Sequence, residues 1–287
     1  MTKRTILVQL DSDPQPSVFD GVVAVDAGAE FLFRHGGVTP EMVRDLVHGA
    51  IFTRGGDDLA ATAIFISGSN AARGEELLAA VQDTFFGPMR VSVMLDPNGA
   101  NTTAAAAVLA VLKHAGAADT TALVLGGTGP VGQRVARLLA REGAAVRVAS
   151  RSQERAEAAC QAIADVVPSA TVTAHAAGDA ATTKAAMQGA NVVVAAGAAG
   201  VELLSADTRA VCDALRVAID LNAVTPVGLE GVDPMDKAAQ REGAICYGAI
   251  GVGGTKMKIH KAAIRRLFQT NDAVLDAEEI LAIGRSL

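Results

Sequence analysis

Apolar positions in this chain follow two rhythms that alternate. Short, mostly apolar runs at residues 5–10 (TILVQL), 63–66 (AIFI) and 90–95 (RVSVML) have the length and branched content of strands buried on both faces. Between them, residues 71–86 carry apolar positions at helical spacing. Thr39, Pro40 and Glu41 read as a helix start, with Thr at the N-cap and Pro at the first helical position. The stretch 11–20 (DSDPQPSVFD) reads as a polar loop, and residues 21–25 fit either a strand or a short helix. After PNGANTT (97–103) an alanine-rich helix runs to about His114.

A second alternating series opens at Thr121. Its expected strands are 121–126, 145–150, 192–197, 217–220 and a short one near Ile245, followed by a helix over 260–268. This is βαβ grammar, which demands parallel strands with crossover helices. The fold class is therefore α/β: two domains with parallel-rich sheets, the second of Rossmann type, and a cleft between them. The expected boundaries are 1–100, with 269–287 returning to cover the first domain, and 101–268.

Composition narrows the class. Of 287 residues, half are apolar and 20% charged, so core material is ample. Aromatics make up 3%, with no Trp and one Tyr, so the cores are built from Ala, Val, Leu and Ile. A net charge of −6 argues against a nucleic-acid partner. Cys160, Cys212 and Cys246 are far apart and have no metal-ligand spacing, so no metal is expected. The first residues are too short an apolar run for a signal peptide, and Gly, Pro and charges break every candidate membrane span. A soluble cytoplasmic protein is expected.

The most specific motif follows the strand at 121–126. Gly127, Thr128, Gly129, Pro130, Val131 and Gly132 form a G-x-G-x-x-G turn that opens an amphipathic helix. The first glycine permits the tight turn, the second lets backbone approach a pyrophosphate, and the third permits close packing of helix on strand. The helix N-terminus offers free N–H groups to phosphate. The next strand ends in Ser150, Arg151 and Ser152, with Arg155 beyond, where an NAD-preferring site commonly places a carboxylate. Arginine pairs with a 2′-phosphate that a carboxylate would repel, so NADP is the expected cofactor. Ala196, Gly197 and Asn222, after later strands, complete the cofactor-binding candidates.

Several mechanisms are set aside. The single tyrosine, Tyr247, has Gly251 four residues on, so a Tyr-x-x-x-Lys pair is missing. There is neither a zinc-ligand set nor a nucleophile elbow. The histidines are scattered, with His260 closest to a glycine-rich segment, 248–254. What remains is a polar set at expected strand ends, where open α/β sheets build their sites. It comprises Asp11, Asp13, Ser17 and Asp20 after the first strand, then Asn98, Asn101 and Thr102, and Lys256 after GAIGVGGTK.

The segments PSVFD, TAIFISG, FFGP, DPNGANTTAAAA, LGGTGPVGQR, AAGAAGVELL, DLNAVTPVGLEGVD and GAIGVGGTKMKIHKA occur in this order. The chain resembles, over residues 7–279, the NADP-dependent methylene-tetrahydromethanopterin dehydrogenases of methylotrophic bacteria. The resemblance implies a pterin-binding first domain, an NADP-binding second domain and a homo-oligomer, expected as a trimer. It also implies methylene-tetrahydrofolate as a further substrate. Asp20 matches a pterin-contacting position, and Thr102 and Lys256 match positions near the reacting carbon. Asp13, Ser17, Asn98, Asn101 and His260 complete the expected substrate-binding set. Two other readings remain open at this level: a shikimate-dehydrogenase-like oxidoreductase, and a non-catalytic NADP sensor.

Overall fold

The computed structural model describes residues 3–210 and 212–287. The chain divides into two compact units, residues 1–102 with 257–287, and residues 103–256. Residues 257–268, expected with the second domain, thus fall with the first.

In the first unit, β1 (Ile6–Asp11), α1 (Val18–Asp26), β2 (Phe31–His35), α2 (Pro40–Ile51), β3 (Thr62–Ser67), α3 (Ala71–Thr84) and β4 (Ser92–Leu95) follow one another. The strands are parallel and ordered β2-β1-β3-β4, with the late strand β12 (Val274–Leu275) beside β4. Every residue of β3 is buried, which is why its sequence shows an apolar run rather than alternation. Val8, Leu10, Ile64, Ile66, Val93 and Leu95 pack against Val43, Val47 and Ile51 of α2 and Leu77 and Val81 of α3. The order reverses between β1 and β3, the position at which such sheets open a crevice at their carboxyl ends.

In the second unit, β5 (Thr121–Leu125), β6 (Ala145–Ser150), β7 (Thr171–Ala176), β8 (Val192–Ala195), β9 (Val217–Asp220) and β11 (Ala244–Tyr247) are parallel. The antiparallel strand β10 (Lys237–Arg241) closes the edge, giving the order β10-β11-β9-β8-β5-β6-β7. Read from β7 to β11 this is the 3-2-1-4-5-6 order of a dinucleotide-binding sheet, with its reversal between β5 and β8. The helices are α5 (Pro130–Arg141), α6 (Gln153–Val166), α7 (Ala180–Met187) and the short α8 (Ala206–Ala210). Three more helices run over α4 (Ala100–Leu112), α9 (Ala249–Leu267) and α10 (Ala277–Arg285).

Some expectations change. The polar loop ends at Ser17, whose hydroxyl accepts a hydrogen bond from the Asp20 N–H and caps α1, so residues 21–25 are helical. The final long helix begins at Ala249 rather than near 260. Glycine is unfavourable inside a helix, yet a Cβ at Gly251 would collide with the Asp236 carbonyl oxygen, so close packing requires glycine there. Among the described residues no helix is long and apolar enough to cross a membrane.

Candidate functional site

The carboxyl end of β5 builds a cradle from backbone alone. Gly126 has φ +69°, and a Cβ on it would lie 2.7 Å from Gly197 Cα, in the loop after β8. A Cβ on Gly127 would meet Val148 Cγ1 at 2.8 Å, and one on Gly132 would strike the Gly126 carbonyl oxygen. Gly129 caps α5 and Pro130 opens it, so the helix begins with N–H groups that have no side-chain cap. The cradle opens into a cavity of about 910 Å³, a size suited to a dinucleotide.

Thr128, Gly129, Pro130, Ser150, Arg151, Ser152, Arg155, Ala196 and Gly197 line that cavity. Ser150 Oγ accepts from the Ser152 N–H, and Ser152 Oγ accepts from the Arg155 N–H, so the loop after β6 is capped while both arginines stay exposed. Gly127, Val131 and Gly132 do not line the cavity; the two glycines shape the turn instead. Asn222 is used by its own loop: its side chain accepts from the Val224 N–H and donates to the Pro226 carbonyl, next to a cis Thr225–Pro226 bond. Burial pushes the neighbouring Asp220 carboxyl up, against the pull of the Leu229, Asn222 and Gly228 N–H groups. The lining also includes Gly126, residues 177–180 and 201–205, Thr183 and Thr208, which sequence reasoning missed. Only Gly126, a glycine directly after an apolar strand, carried a readable signal.

In the first unit, the loop after β1 is fastened on three sides. Asp11, fully buried, accepts from the Asp13 and Ser17 N–H groups at 2.8 and 3.0 Å. The Asp13 carboxylate accepts from Ser69 N–H and Oγ, both at 2.9 Å. Gly36 and Gly68 leave no room for a Cβ against Pro14 and Ser12. Asp20 then sits buried in the first turn of α1. After β4, the buried Asp96 carboxylate accepts from the Asn101 and Thr102 N–H groups and from Thr102 Oγ1 at 2.7 Å. Asn101 donates its side-chain amide to the Leu95 carbonyl and to Asp276, so both residues are committed to shaping the start of α4. Asn98 is exposed, with φ 55°. His260 is fully buried, its ring 5.6 Å from Phe65 and its Nδ1 4.0 Å from Asp96. The expected substrate set therefore divides. Asp13, Ser17, Asp20 and Asn98 lie in the segments that follow β1 and β4, whereas Asn101, Thr102 and His260 are enclosed in packing. Lys256 lies half-buried on α9.

Tyr247 pairs with His114 at 2.7 Å. Burial raises the phenol and lowers the imidazole, the latter helped by Lys113, which marks a satisfied structural pair.

Residues 18–98 match the family described as methylene-tetrahydromethanopterin dehydrogenase, N-terminal, and residues 122–215 the saccharopine dehydrogenase NADP binding domain. The chain is 44% identical over 289 residues to the "Bifunctional protein MdtA" of Methylorubrum extorquens, with full coverage of both. It is 30% identical to the "NAD(P)-dependent methylenetetrahydromethanopterin dehydrogenase" of the same organism, covering 94% of this chain and 93% of that one. Among solved structures, shikimate 5-dehydrogenase from Listeria monocytogenes (TM-score 0.56, 12% identity, 98% and 96% coverage) shares the fold. So does quinate dehydrogenase from Corynebacterium glutamicum (TM-score 0.53, 13% identity, 99% of each chain). At such identities the likeness concerns fold alone.

Proposed function

The chain belongs to the methylene-tetrahydromethanopterin dehydrogenase family, and from that premise we infer its reaction. It is an NADP-dependent oxidoreductase that converts methylene-tetrahydromethanopterin to the methenyl form. The observation that carries the cofactor half is the glycine cradle at β5 with Arg151 and Arg155 on its rim. Thr128, Gly129 and the first turn of α5 would hold the pyrophosphate, and the two arginines the 2′-phosphate. NADP, when bound, supplies the hydride acceptor.

The missing acid–base pair fits this chemistry. The reacting carbon bridges two nitrogens whose lone pairs expel hydride directly and leave a delocalised amidinium cation. No hydroxyl proton is removed, so the protein need only bind, orient and exclude water. We assign Asp20 to accept hydrogen bonds from the pterin ring N–H groups. Lys256 orients the substrate through hydrogen bonds rather than transferring a proton, since the step moves none; a fixed ammonium beside the forming cation would oppose hydride loss, so its charge is displaced on closure or held off the reacting carbon. Thr102 would have to release Asp96 before its hydroxyl could donate to the substrate. Asp20→Ala should raise the pterin KM by about 10- to 100-fold while NADP affinity stays nearly intact. An unchanged pterin KM would remove Asp20 from the site.

We also propose methylene-tetrahydrofolate as a second substrate, assayable in the same way, and a cytoplasmic location, testable by fractionation. A homo-oligomer, expected as a trimer, is supported by exposed apolar side chains on two neighbouring elements of the chain. Val18, Val22 and Val25 of α1, spaced as one helical stripe, and Phe31 and Phe33 of β2 are each at least half exposed. Strand β2 also ends its sheet with an open edge.

A further inference from the structure

The loop that leads into the helix carrying Asp20 is held by a closed ring of hydrogen bonds, and the ring includes a residue to which the reaction assigns nothing. Arg34 on β2 donates Nε to Gln9 Oε1 at 2.8 Å. Gln9, 1% exposed, donates Nε2 to Ser67 Oγ at 3.0 Å. Ser67 donates to Asp11 Oδ2 at 2.7 Å, and the same oxygen accepts from the Ser17 N–H. The ring closes where Arg34 Nη2 donates to the Ser17 carbonyl at 2.6 Å and to the Pro16 carbonyl at 2.8 Å. Register places these groups together: Gln9 pairs with Arg34 across β1 and β2, and Asp11 with Ser67 across β1 and β3. Arg34 also lies against α1 itself, since a Cβ on Gly21 would sit 3.3 Å from its Cζ.

We propose that Arg34 is a positioning residue for the pterin-contacting carboxylate of Asp20, acting through this ring on the first turn of α1. The inference rests on the role assigned to Asp20 above. A guanidinium beside a helix N-terminus gains nothing from the helix dipole. What it gains is a grip on two successive carbonyls directly before the helix, while Asp11 holds the N–H between them. Ser17 is thus fixed at N, O and Oγ, and Asp20, three residues on, inherits that placement. The grip needs a planar fork: Nε faces Gln9 while Nη2 faces the loop, and an ammonium cannot span both.

The test is a double-mutant cycle on the full-length enzyme with methylene-tetrahydromethanopterin and NADP, comparing wild type, Arg34→Lys, Asp20→Ala and the double variant. Arg34→Lys keeps the charge and loses the fork. It should raise the pterin KM by about tenfold and leave the NADP KM within about twofold. In the Asp20→Ala background the same change should add less than about twofold, because the group being positioned is gone. Where Asp20→Ala is too slow to assay, the pterin Kd by titration replaces KM. Gly21→Ala supplies an independent arm: alanine favours the helix, so Tm should hold or rise, yet its Cβ crowds the guanidinium and the pterin KM should increase. A wild-type pterin KM in Arg34→Lys, a parallel rise in both KM values, or full additivity with Asp20→Ala overturns the proposal. Failure of the functional reading is separately visible: wild type itself would then be silent with the pterin, and the inference would fall with it.

Discussion

A carboxylate at the end of β6 would repel the 2′-phosphate of NADP, and this chain has Ser150, Arg151 and Ser152 there, with Arg155 one turn on. Arg151→Asp should therefore raise the NADP Kd about 10- to 100-fold and leave the NAD Kd unchanged or lower. Equal loss for both cofactors in a fluorescence titration would place the 2′-phosphate elsewhere. At this scale the sequence was readable where one residue type has one physical use. Glycines against backbone are of that kind, and so are arginines where acids usually stand. It was unreadable where a polar side chain had to choose between a ligand and its own fold. Asn101 satisfies the Leu95 carbonyl and Asp276, Asn222 folds its own turn, and His260 is enclosed beside Phe65. Nothing in the spacing of these residues distinguishes the two uses. Arg34 went unnoticed for the same reason, since its partners are brought to it by strand register.

Elements buried on both faces announced themselves, as β3, β4, β5 and β8 did with continuous apolar runs. Edge strands did not. Strand β2 (FLFRH) is half exposed, β7 (TVTAHA) mixes polar and small residues, and β10 (KAAQR) has little β character. With β7 illegible, residues 177–180 and Thr183, which line the cofactor cavity, carry no sequence signal either. The first turns of α9 are hidden in a glycine-rich segment, whose helical state depends on a tertiary contact that requires Gly251. The exposed β2 face leads to a prediction about elements. Phe33→Glu puts a charge into the proposed contact between copies and should shift sedimentation from the oligomer toward the monomer, with the fold retained by circular dichroism. Unchanged sedimentation would place the interface on another surface.

For the whole molecule, alternation of strands and helices was enough for the class, and the glycine turn for the dinucleotide. Strand orders were not accessible, because parallel pairing joins segments far apart in sequence, such as β1 with β3 and β5 with β8. Those orders explain the positions of the candidate groups. The reversals between β1 and β3 and between β5 and β8 open at the strand ends that carry the Asp11–Ser17 loop, the first turn of α1 and the glycine cradle. Structures of shikimate and quinate dehydrogenases share the architecture, but the ordered motifs and full-length identity align this chain with the pterin enzymes. Hydride passes directly from the methylene carbon to NADP in the proposed reaction, without an acid–base group. This transfer is tested most directly with methylene-tetrahydromethanopterin deuterated at the methylene carbon, following NADPH and methenyl absorbance and then the isotope in the isolated cofactor. Direct transfer gives rapid turnover with NADP and one deuterium at C4 of NADPH, without loss to solvent. Deuterium in water, or NADP binding without turnover, would contradict it.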